Sequence, residues 1–224
     1  MIIGNGFLAE NLYYHSVNEL PLIVLASGVG DSKCNSIREF ERETNLIIEN
    51  IELAKKLDYP LIYFSSISAD SESPYIKHKR SCEKIIQNSN VQHCIIRCPQ
   101  LIGHNLNSHQ LVGYLYQKIL GQLEFKIFKN AERNILDIEN LADFIKLWAK
   151  KPNYNLVSIG YEINIKVTEL ILLIEDRVNI KANYNLIDSK LSAYSFEQYP
   201  SWKELELFGL GKQAPYKELI AKYL

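Results

Sequence analysis

The sequence predicts an α/β fold, a Rossmann-like parallel sheet with helices on both faces, and three observations carry that reading. Short apolar runs alternate with stretches of helical periodicity, the pattern of strands joined by crossover helices. The order strand, helix, strand is set from the first residues onward. Between the first strand stub and the first helix stands a glycine-rich turn, "IIGNGFLAENL".

Taken in order, Met1–Ile3 is a stub of strand and Phe7–His15 a helix. "LPLIVLAS" (20–27) is a buried strand that ends in the turn-rich "SGVGDS". From 36 to 57 a helix is predicted from Ile37, Phe40, Thr44, Ile47, Ile48, Ile51 and Ala54. Asp31 or Ser32 lies near its start, where a capping oxygen is useful. "YPLIYFSS" (59–66) is the next strand. Helix 74–88 follows, with Pro74 in a favourable first-turn position. "VQHCIIRCPQLIG" (91–103) reads as a strand running into a loop. A helix over 108–120, a strand at "LEFKIF" and a helix over 139–150 come next, the last with Leu141, Ile145 and Trp148 on one side. A strand at "NLVSI", a helix at "KVTELILLIEDRV" and a polar, Tyr-rich tail complete the chain. Residues 1–150 form the core in this reading, and 151–224 contribute a small substrate lobe as one unit with it.

At 224 residues the chain has the size of one well-buried domain. A net charge of −1 supplies no field for nucleic acid, and no Lys/Arg run does so locally. Cys34, Cys82, Cys94 and Cys98 form no CxxC pair, and neither they nor any His/Asp/Glu set has metal-ligand spacing. Reduced thiols in a cytoplasmic protein are expected. No segment reaches the ~18 apolar residues of a membrane helix. "MIIGNGFLAENL" lacks the basic start and apolar core of a signal peptide.

The turn reads Gly4-x-Gly6-x-x-Ala9. Gly4 suits a tight turn, Gly6 lets the backbone approach a pyrophosphate, and Ala9 keeps the helix close to the sheet. A dinucleotide fold normally continues into a second strand whose terminal acid grips the adenosine ribose. Here "ENLYYHSVNEL" leads straight to "LPLIVLAS", so no such acid is assigned and NAD is not distinguished from NADP.

"YFSSISADSESPYIKHK" holds a second constellation. Tyr75 and Lys79, four apart on a helix, share one face. A free tyrosine ionises near pH ~10, and a nearby ammonium favours its phenolate. A serine at the preceding strand end orients a carbonyl or alcohol toward that phenol. The blander reading is a packed or solvated Tyr–Lys pair, since YxxxK arises readily by chance. His78 falls on a different face and reads as a surface or interface histidine. His104 and His109 read as solvated loop residues, with contact to a phosphate as the alternative.

With these motifs, the sequence resembles the extended branch of the short-chain dehydrogenase/reductase superfamily, the NAD(P)-dependent nucleotide-sugar epimerases, dehydratases and reductases. "GNGFLA" stands at the glycine fingerprint, "IVLASG" along the dinucleotide, "YFSS" at the catalytic Ser/Thr and "YIKHK" at the Tyr and Lys. "IIRCPQLIG" is similar to the R-P-x-x-x-G stretch, and "RNILDIENLADF" to a later segment whose arginine contacts the nucleotide diphosphate. The resemblance implies catalytic roles for Ser66 (Ser65 and Ser68 being alternatives), Tyr75 and Lys79. It implies cofactor contacts at Gly4, Gly6, Phe7, Leu8, Ala26, Ser27, Lys79 and Pro99. Substrate contacts fall on Gln100 and Arg133, whose alternatives are a solvated loop residue and a salt bridge to Asp137 or Glu139. Such relatives run to ~300 residues or more, so the chain reads as a shortened member that lacks the second and third strands. Asn140 replaces their usual acid.

The function expected is NAD(P)-dependent hydride transfer on a nucleotide-activated sugar, in surface polysaccharide precursor synthesis. Keto-sugar reduction is preferred over epimerisation, because a compact lobe leaves less room for the sugar to rotate. The alternatives are a non-catalytic NAD(P)- or nucleotide-sugar-binding sensor or scaffold, and a subunit that borrows part of its site from a partner. A homodimer through helices 36–57 and 74–88 is implied by the same resemblance.

Overall fold

The computed structural model describes residues 1–68, 72–188 and 216–224. Its elements run β1 (Ile2–Ile3), α1 (Phe7–Tyr14), β2 (Ile23–Leu25), α2 (Ile37–Leu57), β3 (Leu61–Ser66), α3 (Pro74–Gln87) and β4 (His93–Cys98). There follow β5 (Gln100–Ile102), α4 (Leu111–Leu120), β6 (Phe125–Phe128), β7 (Glu132–Arg133), β8 (Ile135–Asp137) and α5 (Ile138–Lys150). The last are β9 (Leu156–Ser158), β10 (Ile165–Lys166), α6 (Val167–Val178), β11 (Tyr184–Ile187) and α7 (Tyr216–Tyr223).

The main sheet is parallel throughout, in the order β1-β2-β3-β4-β9. Parallel strands covered on both faces need apolar side chains on both, and β2 to β4 supply them. Ile62, Phe64, Cys94 and Ile96 face the core shared with α1 and α5. Leu61, Tyr63 and Ile95 face α2 and α3. The chain passes from α1 through a short 3₁₀ turn at Val17–Glu19 into β2, which lies directly beside β1. β9 comes from the C-terminal segment, so residues beyond 150 also build the core sheet.

Several boundaries differ from expectation for local reasons. The predicted strand 20–27 is reduced to β2, because Pro21 has no N–H and Leu22 N–H turns back to Leu20 O at 2.8 Å. The run 91–103 is split at Pro99, after which β5 leaves the main sheet and pairs in parallel with β8. β7 and β8 fall in "ERNILD", where no strand was predicted. Ser36, not Asp31 or Ser32, caps α2, its Oγ accepting from Glu39 N–H at 3.4 Å. Of the Tyr-rich tail, 189–215 lie outside the described residues, and 216–223 form α7.

α7 is tied down by its charge pairs. Lys222 Nζ donates to Asp137 at 2.9 Å and also to Glu139, while Tyr223 Oη donates to Asp137 at 2.6 Å. Asp137 at the same time caps α5 through Glu139 N–H at 2.9 Å. Among the described residues, no helix is long and apolar enough to cross a membrane.

Candidate active site

Helix α2 carries its buried stripe on Glu43, Ile47, Asn50, Ile51 and Ala54. Ile37 and Ile48, predicted for that stripe, point outward at 72% and 49% exposure. The helix is turned slightly from the predicted orientation, and the turn places a carboxylate inside. Helix α3 does the same with Lys79 and Glu83, set among Tyr75, Ile76, Cys82 and Ile86. Buried charges must be paired, and these are.

Glu43 is the centre of the pairing. Its Oε1 accepts from Lys79 Nζ at 2.7 Å and Tyr63 Oη at 3.0 Å. Its Oε2 accepts from His78 Nε2 at 2.9 Å and Val29 N–H at 3.0 Å. The four donors come from α3, β3 and the loop after β2. Burial pushes the Glu43 carboxyl up, but the His78 and Lys79 bonds outweigh burial and hold it at about 2. The loop comes so close that a Cβ on Gly28 would collide with Glu43 Oε1 and lie 3.1 Å from Lys79 Nζ.

His78 is therefore not a surface histidine. It is buried against Glu43 and stacks on Phe40, with ring centroids 4.4 Å apart. Glu43, His78 and Cys82 bring ligand-type atoms within 4.8 Å of one another. The Lys79 ammonium bonds the other oxygen of the same carboxylate, and its positive charge opposes a cation there.

Tyr75 and Lys79 share a face as predicted, the ammonium lying 5.7 Å from the Tyr75 ring centroid. Lys79 Nζ also donates to Phe64 O at 3.4 Å, two residues before Ser66, which ties α3 to the end of β3. Tyr75 packs with Val29 and Ile76, and among the described residues its hydroxyl makes no hydrogen bond. Its acidity runs against expectation. Burial first, and then the Glu43 carboxylate, raise its pKa above the usual tyrosine value.

Of the serine candidates, Ser65 points toward α3 and donates to Glu83 Oε1 at 2.6 Å. Ser66 faces the opposite side of the sheet, its Oγ accepting from Ser68 N–H at 3.2 Å. Arg80 holds this strand end from α3, donating to Ser66 O at 3.0 Å and Ser68 O at 3.3 Å. Residues 69–71, within the stretch between Ser66 and Tyr75, lie outside the described residues.

The glycine turn stands at the carboxyl end of β1. Gly4 has φ +139°, and a Cβ there would come 2.6 Å from Ala26 O and 3.1 Å from Ser27 N. Gly6 has nothing within 4 Å of the corresponding position and caps α1 without a side chain. Phe7 and Leu8 begin that helix. The open backbone at Gly6, ahead of the first-turn N–H groups, fits a diphosphate.

Gln100 and Arg133 lie in the smaller strand pairs, outside the Glu43 network. Gln100 pairs with Ile135, and Arg133 with Ile165. Asp137 and Glu139, the offered partners of Arg133, hold Lys222 instead, and Arg133 donates to Glu132 O at 2.7 Å. The His104 ring lies between Tyr14 and Tyr223, with centroids 4.6 and 5.2 Å away.

No protein-family model matches the sequence, and no curated protein matches it. Solved structures do match in three dimensions. UDP-glucose 4-epimerase of Thermus thermophilus, solved with NAD, superposes with a TM-score of 0.73 at 12% identity, over 95% of this chain and 79% of that one. UDP-glucose 4-epimerase of Thermotoga maritima, solved with UDP-glucose, gives 0.71 at 15% identity, over 96% and 79%. The chain has the fold of the UDP-glucose 4-epimerases. RMD from Pseudomonas aeruginosa, solved with NADPH, gives 0.74 at 12% identity, over 98% and 95%.

Within this epimerase fold, Glu43 and Arg80 are the residues that sequence reasoning missed. One signal was present for Glu43: a carboxylate one turn before Ile47, on the line that continues to Ile51 and Ala54. Arg80 has one local partner, Glu83 a turn later on α3, but its bonds to Ser65 Oγ, Ser66 O and Ser68 O cross to another element and leave no local signal.

Proposed function

We propose that the protein is an NAD(P)-dependent oxidoreductase acting on a nucleotide-activated sugar, with keto-sugar reduction preferred over epimerisation. One juxtaposition carries the reading. Tyr75 and Lys79 sit at the carboxyl end of β3, and the Gly4–Gly6 turn packs against Ala26 and Ser27 two strands away on the same sheet edge. Carboxyl ends of parallel strands are where open α/β sheets bind their ligands. The bound dinucleotide supplies a hydride donor or acceptor, with Gly4, Gly6, Phe7, Leu8, Ala26, Ser27, Lys79 and Pro99 as its contacts. Tyr75 exchanges a proton with the sugar oxygen, Ser66 orients that oxygen, and Gln100 and Arg133 hold the nucleotide diphosphate side. The structural neighbours bind NAD, NADPH or UDP-glucose in their own right, which supports the choice of ligands.

Calorimetric titration with NADH and NADPH, with and without a panel of UDP-sugars, tests the reading. Micromolar binding of one dinucleotide is expected, and the absence of heat at millimolar dinucleotide overturns it.

The Glu43–Lys79 pair favours a second reading, a non-catalytic sensor on the same fold, since an ammonium held by a buried carboxylate is less free to activate a phenol. Dinucleotide binding without turnover of any panel sugar separates the two.

Assembly follows from the outer faces of α2 and α3, which pack side by side. Ile37 and Ile48 are exposed, and Phe40, Glu41, Thr44 and Asn45 line a shallow recess beside Ile37. We expect a homodimer through these helices. Sedimentation velocity at micromolar concentration should give a species of twice the 25.9 kDa chain mass, and a monomer at all concentrations removes the proposal.

A further inference from the structure

We propose that Glu43 is a positioning residue that commits this site to giving a proton rather than taking one. By holding the Lys79 ammonium, it keeps Tyr75 as the neutral phenol, the state from which a carbonyl is reduced. The inference rests on the oxidoreductase reading above and adds the direction in which the site is poised.

The geometry is specific. Lys79 and Glu43 side chains are 4% and 1% exposed and 2.7 Å apart, so their charges meet with little water between them. Among the described residues, the ammonium's other contacts are neutral: Phe64 O, and the rings of Tyr63 at 5.1 Å and Tyr75 at 5.7 Å. Glu43 in turn is anchored by Tyr63, His78 and Val29 N–H, which use its lone pairs and prevent it from following Lys79 elsewhere.

Among the described residues, the groups facing Tyr75 come from four elements. α2 presents Glu43, α3 presents Lys79 and Arg80, the loop after β2 presents Asp31 and Cys34, and β4 presents Cys98. Of the two cations, Lys79 is matched by Glu43, and Arg80 by Glu83, which it shares with Arg97. Among the described residues, Arg80 is the cation that draws on the Tyr75 proton, but its charge is partly met by Glu83. Burial together with the Glu43 carboxylate outweighs it, so the phenol keeps its proton.

In the reaction so poised, the carbonyl carbon gains a hydride from a reduced nicotinamide dinucleotide, whose C–H bond breaks as it becomes oxidised. The Tyr75 O–H bond breaks as well, and its proton passes to the carbonyl oxygen. The alcohol departs, and the phenolate left behind takes a proton from water.

The test reads Tyr75 without any ligand. Protein labelled with 13Cζ-tyrosine is titrated by NMR, and Tyr75→Phe assigns the signal. In the wild type, the Tyr75 signal is expected to stay that of the phenol through about pH 10, where a free tyrosine is half ionised. Glu43→Gln keeps an oxygen for Lys79 but removes the negative charge, and it should lower the Tyr75 midpoint by about one unit or more, a tenfold rise in its ionisation constant. Equal midpoints in wild type and Glu43→Gln overturn the proposal. Whether or not Glu43→Gln folds, a wild-type Tyr75 midpoint below about pH 10 also overturns the proposal. Failure of the oxidoreductase reading shows separately, as absent dinucleotide binding with the Tyr75 shift intact.

Discussion

Tyr75→Phe is expected to lower turnover of the keto-sugar by about 10²- to 10⁴-fold, the range for removing a general acid. Stability should hardly change. The ring of Tyr75 packs with Val29 and Ile76, and Phe keeps those contacts. The hydroxyl makes no hydrogen bond among the described residues, so its loss leaves no partner stranded. Steady-state kinetics and a thermal melt on the same preparation check both halves. A variant that melts with the wild type yet keeps more than a tenth of the activity removes Tyr75 from the proton transfer.

Glu43→Ala is expected to have the largest effect on stability, a loss of about 3–5 kcal/mol, as when one partner of a buried ion pair is deleted. Lys79 would remain buried without a counter-charge, and Tyr63, His78 and Val29 N–H would each lose an acceptor. That loss is a large part of the total stability of a typical domain. Urea unfolding measures it, and a change below about 1 kcal/mol would mean that water reaches Lys79 freely. The same carboxylate gives the fold an acid dependence. Its folded-state value of about 2 lies below the unfolded 4.5, so the stabilisation is complete above about pH 4.5 and lost as pH falls toward 2. By linkage that amounts to about 3 kcal/mol. In Glu43→Gln this part of the acid dependence should vanish.

Much of the scaffold was legible because its signals are local. The apolar runs at 61–66 and 93–98, and the helical spacing of 37–57 and 74–87, follow from side chains that must be dry on one or both sides. The Gly4 turn is legible for the same reason, since its backbone conformation is one that other residues rarely adopt. The short pairs β7–β10 and β5–β8 were missed because each needs its partner from a distant stretch of chain. α7 was missed because its docking depends on Asp137, some 80 positions earlier.

For the site, the sequence by itself determined the pairing of Tyr75 with Lys79, since spacing along one helix requires nothing beyond the helix. Only the tertiary structure decided what surrounds that pair. Glu43 reaches Lys79 from a helix 36 positions earlier, and Ser65 is turned to Glu83 while Ser66 faces the opposite side of the sheet. Burial and charge act through space and not along the chain, so the surroundings of the Tyr75 hydroxyl depend on which elements the fold brings side by side.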